Sequence, residues 1–200
     1  MRRPEGTRWP WLARTILLLC MAAPVPLAAA ERPAGQDVTA SWSLLAGYGF
    51  THTNLGETRQ WVETVDLVGR YDFGSSKELG RSWYQGRHSL LVELPLHFVV
   101  DPAASPMVGV NFLLSYRLTG LGAIEPYGFM GGGPLYSGTR MDGMGSHWNG
   151  TWQWGVGLRL PQAKGHDVLV EYRYHHISNG GRRDPNDPLN SSKVRVGIRF

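Results

Sequence analysis

Toward its C-terminal end the chain alternates strictly, with Val194, Val196, Ile198 and Phe200 interleaved with Arg195, Gly197 and Arg199. The same two-residue period runs through Trp152, Trp154, Val156, Leu158 and Leu160, against Gln153, Gly155, Gly157 and Arg159. Upstream, Leu90, Val92, Leu94, Leu96, Phe98 and Val100 share one phase while Glu93 and His97 occupy the other. Side chains of a strand point alternately to its two faces, so this period predicts strands with one apolar face. Roughly eight such runs are expected, over 42–50, 61–73, 88–100, 107–117, 123–131, 149–160, 167–178 and 190–200.

Most of these runs are long for a soluble sheet, whose strands average about 5–6 residues, and match a tilted bilayer crossing of about 9–11. An antiparallel up-and-down barrel leaves no strand edge unpaired in lipid, and eight strands suffice to close one. The polar phase carries Gly47, Gly49, Gly109, Gly155 and Gly157, as a narrow interior requires. Periodicity alone does not say which phase faces inward, and a soluble sandwich or lipocalin-like barrel would bury the apolar one. Aromatic residues near the run ends (Trp42, Phe50, Trp61, Tyr71, Phe73, Trp152, Tyr174) and a final alternating strand closed by Phe200 favour a transmembrane β-barrel of the bacterial outer membrane. With both ends of the barrel chain in the periplasm, 51–60, 101–106, 132–148 and 179–189 become external connections, and 74–87, 118–122 and 161–166 periplasmic ones.

Composition sharpens this picture. The 200 residues include 26 glycines and are 42% hydrophobic, which excludes a disordered or collagen-like chain. Arg2, Arg3, Arg8 and Arg14 precede the apolar run Thr15 to Ala23, and Ala28-Ala29-Ala30 offers an A-x-A cleavage site. Residues 1–30 are therefore expected to be a cleaved secretory signal peptide, and 31–200 the barrel domain. A membrane-anchoring helix would need about 20 apolar residues, and Pro24 and Pro26 interrupt this run too soon. Leu17-Leu18-Leu19 before Cys20 lacks the small residue of a lipoprotein site.

Of 20 basic and 16 acidic residues, the four arginines and Glu5 belong to that leader, leaving 16 and 15. The apparent basicity is thus mostly the leader's, and nucleic acid is not an expected partner. The only cysteine goes with it, excluding a thiol nucleophile, a thiolate metal site and any disulfide in the mature chain. The histidines 52, 88, 97, 147, 166, 175 and 176 show no metal-ligand spacing, so neither a metal nor a cofactor is expected. Gly131-Gly132-Gly133-Pro134 lacks the following helix that a phosphate loop needs.

The candidate chemistry lies where the seventh run ends. Val168, Val170, Tyr172 and Tyr174 continue in phase to His176 and Ser178, then Asn179-Gly180-Gly181 signals a turn. On the eighth run the same phase read backwards from Phe200 is Ile198, Val196, Val194, Ser192 and Asn190. A histidine, a serine and an asparagine therefore meet on one outer face at the external rim, which is the composition of a base, a nucleophile and a base-orienting group. Residues two apart on a strand stand about 6–7 Å apart, so contact between His176 and Ser178 requires the strand to bend or end there. The plainer reading makes the same polar rim structural. Arg182 and Arg183, beside the motif, are candidates to bind lipid phosphates.

His176-Ile177-Ser178-Asn179-Gly180-Gly181, with Pro185-Asn186-Asp187 and Asn190 after it, resembles the H-x-S-N-x-G motif of the PagL family of outer-membrane lipid A 3-O-deacylases. The likeness extends to Tyr172-Arg173-Tyr174 and, more loosely, to Pro126-Tyr127-Gly128 and Gly131-Gly132-Gly133. It implies an eight-stranded barrel with its active site on the outer wall, where His176 is the general base and Ser178 the nucleophile. It further implies that the Asn179 side-chain amide and the Gly181 N–H serve as oxyanion donors. The implied activity is hydrolysis of the ester-linked 3-hydroxyacyl chain at the 3 position of lipid A.

The family's third member is a glutamate twelve residues after the serine; here that position is Asn190, a neutral amide that can orient an imidazole but not offset its charge. Asp187 is a candidate substitute acid. Glu171 is not, since it lies in the opposite phase and about 17 Å back along the strand. The expected partners are lipid A or lipopolysaccharide of the outer leaflet, the outer membrane itself and, as one option, a second copy of the chain in a homodimer. The alternative function is a non-catalytic small barrel serving adhesion or membrane integrity. A palmitoyltransferase barrel would carry an amphipathic N-terminal helix, which Arg32 to Ala40 does not encode.

Overall fold

The computed structural model describes residues 38–162 and 165–200; the expected leader lies outside them. Nine strands run in chain order: β1 (Val38–Thr51), β2 (Glu63–Ser75), β3 (Gly86–Asp101), β4 (Ser105–Gly109), β5 (Asn111–Leu118), β6 (Glu125–Ser137), β7 (Trp148–Pro161), β8 (Asp167–Ser178) and β9 (Leu189–Arg199). All pairings are antiparallel, strands adjacent in sequence lie side by side except β4 and β5, and β9 returns to β1 from Ser43↔Arg199 to Thr51↔Ser191. β4 and β5 are two halves of one stave, both lying between β3 and β6 and interrupted at Val110, so the ring has eight positions.

The outward face is the apolar one. Leu94 is 58% exposed, Leu114 69% and Val156 56%, whereas Glu93, Arg173 and His175 are 0% exposed. A soluble barrel would show the reverse, so the inside–outside ambiguity resolves in favour of a lipid-facing exterior. Aromatic side chains cluster toward both rims. Trp42, Tyr71 and Phe73 pack edge to face at one end, and at the other Phe50 stacks on Trp61 and Tyr136 meets Trp148.

The lumen is filled in layers. Leu45, Val68, Leu91, Leu113, Tyr127, Phe129 and Leu169 form one apolar plug, and Val62, Val99, Met107, Leu135, Met144, Ile177 and Leu189 another. A buried ionic cluster also fills the interior: Arg70 and Arg173 each bond both Glu93 and Glu171, while Asp66 takes His97, Lys193 and Arg195. Inward glycines make room for these large groups. A Cβ on Gly155 would stand 2.4 Å from the Phe129 ring, and one on Gly47 2.5 Å from Arg195 Cγ.

One boundary departs clearly from expectation. The stretch from Gly132 to Pro134 belongs to β6, which runs on to Ser137, rather than to the external connection expected from residue 132. Two glycines and a proline read as a turn, but here they allow close backbone approach beside the Val110 break. Cβ atoms on Gly132 and Gly133 would each lie 1.9 Å from a neighbouring carbonyl oxygen, of Thr151 and Val110 respectively. The connections 52–62, 102–104, 138–147 and 179–188 share one end of the barrel, and the candidate residues sit at that end.

Candidate active site

On β8 the alternation places Arg173, His175 and Ile177 inward, while Tyr172, Tyr174, His176 and Ser178 face out. Asn190, the second residue of β9, lies directly opposite His176. The His176 ring bridges two partners: Nδ1 lies 2.7 Å from Asn190 Oδ1, and Nε2 3.2 Å from Ser178 Oγ. Ser178 is the last residue of β8, and its position at the strand end brings it within reach of His176.

Asn190 is 4% exposed and every polar atom on it is engaged. Oδ1 also accepts from the Tyr174 hydroxyl at 2.7 Å. Nδ2 donates to the Leu55 carbonyl at 3.0 Å and to Thr58 Oγ1 at 2.8 Å. Its backbone N–H donates to Thr58 Oγ1 at 3.0 Å, and its carbonyl accepts from the His52 N–H at 2.8 Å. A carbonyl only accepts, so Leu55 fixes which end of the amide is nitrogen and leaves the oxygen to His176. That oxygen in turn requires the imidazole proton on Nδ1, which presents the Nε2 lone pair to Ser178.

The other predicted residues are placed as follows. Asn179 is 3% exposed, and its amide donates to the Arg183 carbonyl at 2.7 Å and the Pro185 carbonyl at 3.3 Å. It thus braces the 179–188 loop. Gly180 and Gly181 have left-handed φ of 67° and 71° with open space where a Cβ would project, turning the chain away and leaving Ser178 accessible. Arg182 and Arg183 are exposed on the same loop. Asp187 is turned elsewhere: it pairs with Arg59 at 3.5 Å, and its side chain stands against Gly143 rather than His176. Glu171 lies in the lumen, bonded to Arg70, Arg173 and Tyr127. Among the described residues no group of three or more His, Cys, Asp or Glu side chains is placed to hold a metal ion.

Sequence reasoning missed the first loop, 52–62. Thr58 and Leu55 meet Asn190 from more than 130 positions away because ring closure sets β1 beside β9. Closure of an even-stranded barrel was itself expected, so the juxtaposition of that loop with Asn190 was available as a signal. A second polar contact extends down the same wall, where Ser192 Oγ lies 2.7 Å from both His52 Nε2 and the Tyr172 hydroxyl.

Fold and site together define a bacterial outer-membrane β-barrel with an imidazole, hydroxyl and amide linked in a chain on its lipid-facing wall. The chain belongs to the lipid A 3-O-deacylase (PagL) family, whose model matches residues 37–199. Among solved structures it is similar to the outer membrane enzyme PagL, at 21% identity and a TM-score of 0.57, over 80% of this chain and 98% of that one. It is also similar to Neisserial surface protein A, NspA, at 12% identity and a TM-score of 0.60, over 82% of this chain and 99% of that one. At these identities the structural likenesses speak to the fold alone. No curated protein sequence matches the chain.

Proposed function

We propose that this barrel hydrolyses the ester holding the 3-hydroxyacyl chain at the 3 position of lipid A, by serine–histidine catalysis on its lipid-facing wall. The observation that carries the reading is the His176 ring, held by Asn190 on one nitrogen and facing the Ser178 hydroxyl with the other. His176 Nε2 takes the Ser178 proton as Oγ attacks the ester carbonyl carbon. The tetrahedral oxyanion accepts from the Gly181 N–H and from the Asn179 amide, which exchanges its longer bond, to Pro185, for the new acceptor. Each such donor is typically worth about 3 kcal/mol in the transition state. Collapse breaks the bond to the sugar oxygen, which leaves with the proton from His176. Water, activated by the same imidazole, then releases the 3-hydroxy fatty acid from Ser178. Arg182 and Arg183 reach the phosphates of a substrate that stays in the outer leaflet throughout.

Mass spectrometry of lipid A from cells producing the wild type or Ser178→Ala tests this. Loss of one hydroxyacyl mass with the wild type alone is the expected result. Unaltered lipid A from both, with both barrels folded in a host whose lipid A carries that ester, would return the polar rim to a structural role.

A further inference from the structure

We propose that the first loop, 52–62, is part of the catalytic apparatus, with the Leu55 carbonyl and Thr58 hydroxyl forming a receptor that accepts an amide, and not a carboxylate, at position 190. This rests on the reading of His176 and Ser178 as base and nucleophile, and makes Thr58 and Gly56 positioning residues.

The accounting at Asn190 is complete. A side-chain amide offers two hydrogens and an oxygen with two acceptor directions. The hydrogens go to Leu55 O and Thr58 Oγ1, and the oxygen takes His176 and Tyr174. A carboxylate in the same place has no hydrogen to give. Its second oxygen would face the Leu55 carbonyl, acceptor against acceptor, and Thr58 would have to turn its hydroxyl round.

The loop is shaped around this contact. Asn54 and Gly56 adopt left-handed φ of 73° and 59° on either side of Leu55, and Asn54 N–H closes the turn onto the Thr58 carbonyl at 3.0 Å. A Cβ on Gly56 would stand 3.2 Å from Asn190 Nδ2, so a side chain there is opposed by both conformation and space. The His52 N–H, accepted by the Asn190 carbonyl, ties the start of the loop to the same residue. The amide at 190 is therefore a fixed dipole aimed by the loop: its oxygen sets the His176 tautomer through position rather than charge.

The test uses the full barrel refolded in detergent micelles, with two readouts for each variant: imidazole nitrogen chemical shifts of His176 at alkaline pH, and lipid A deacylation. In the wild type, Nδ1 is expected to carry the proton and Nε2 to be free. Thr58→Val, nearly isosteric, should mix the two tautomers and lower kcat by about 10- to 100-fold, with KM changing less than about twofold. Thr58→Ser should restore both readouts, which a merely structural threonine on the loop would not require. Asn190→Asp and Asn190→Glu should both fall below the wild type. Unchanged tautomer in Thr58→Val, or higher activity in either acid variant, overturns the inference. A wild type that leaves lipid A intact would overturn the deacylase reading instead, while the tautomer readout still decides whether the loop positions His176.

Discussion

Strand β8 carries two polar systems, one on each side of the barrel wall, and they are built from different chemistry. On the inner side Arg173, 0% exposed, bonds Glu93 at 2.7 and 2.8 Å, Glu171 at 2.6 and 3.0 Å and Gln153 at 2.9 Å, with its guanidinium 4.3 Å above the Phe129 ring. One residue on, on the outer side, Tyr174 and His176 meet Asn190, and every partner is neutral. The lumen can hold full charges because each finds its opposite within hydrogen-bonding distance, offsetting desolvation that would otherwise cost several kcal/mol per ion. On the outer wall no charged side chain among the described residues is bonded to Asn190, whose partners are an imidazole, two hydroxyls and the Leu55 and His52 backbones. A neutral amide at position 190 thus matches the neutral partners around it.

The comparison predicts that the two systems fail differently. Ser178→Ala should remove at least about 10³-fold of deacylase activity while the barrel folds as before, checked by heat-modifiable mobility on gels. Arg173→Met should do the converse. It strips a cation from two buried carboxylates, and such one-sided breaks cost about 3–5 kcal/mol. Urea unfolding in micelles should show that loss, with activity per folded molecule close to the wild type. If Arg173→Met instead silenced the folded enzyme, the two sides of the wall would be coupled and not independent.

A smaller effect is expected at Gly155, where the interior leaves no room for a methyl group. An alanine Cβ would approach both the Phe129 ring and the Tyr172 carbonyl to 2.4 Å. The ring can shift only by disturbing Arg173 above it, so Gly155→Ala should cost about 1–3 kcal/mol in the same unfolding experiment. An unchanged midpoint would mean that the lumen packs more loosely than its contacts indicate.

Much of this is legible in the sequence, and the division is physical. Alternation survives in the sequence because each strand residue has one of two faces, so 167–178 was placed at its observed limits and the phase shared by His176, Ser178 and Asn190 followed. Two kinds of feature escaped. Gly132 to Pro134 carry the composition of a turn, yet their smallness serves strand packing at the Val110 break, and composition does not distinguish these uses. The Leu55 contact is made by a backbone carbonyl, which every residue possesses, so no residue type could have marked it. Asp187 illustrates the reverse: proximity in sequence suggested a substitute acid, but the loop turns it to Arg59.

The finest division between the two sides is between adjacent histidines. His176 has a partner on each ring nitrogen, whereas neither nitrogen of His175 is bonded by any described protein group, although the residue is 0% exposed. It lies 5.2 Å, centroid to centroid, from the His97 ring inside the ionic cluster. A buried polar group without a partner costs about 1–3 kcal/mol, and an apolar side chain of similar volume removes that cost while keeping the packing. His175→Leu should therefore leave stability within about 1 kcal/mol of the wild type or raise it, and leave deacylation unchanged, while His176→Leu abolishes activity. A loss of stability beyond about 2 kcal/mol in His175→Leu would assign the inner ring a bonding role in the lumen. Equal loss of activity in both variants would end the distinction between the two faces of β8, because it would make the inner histidine as necessary to the chemistry as the outer one.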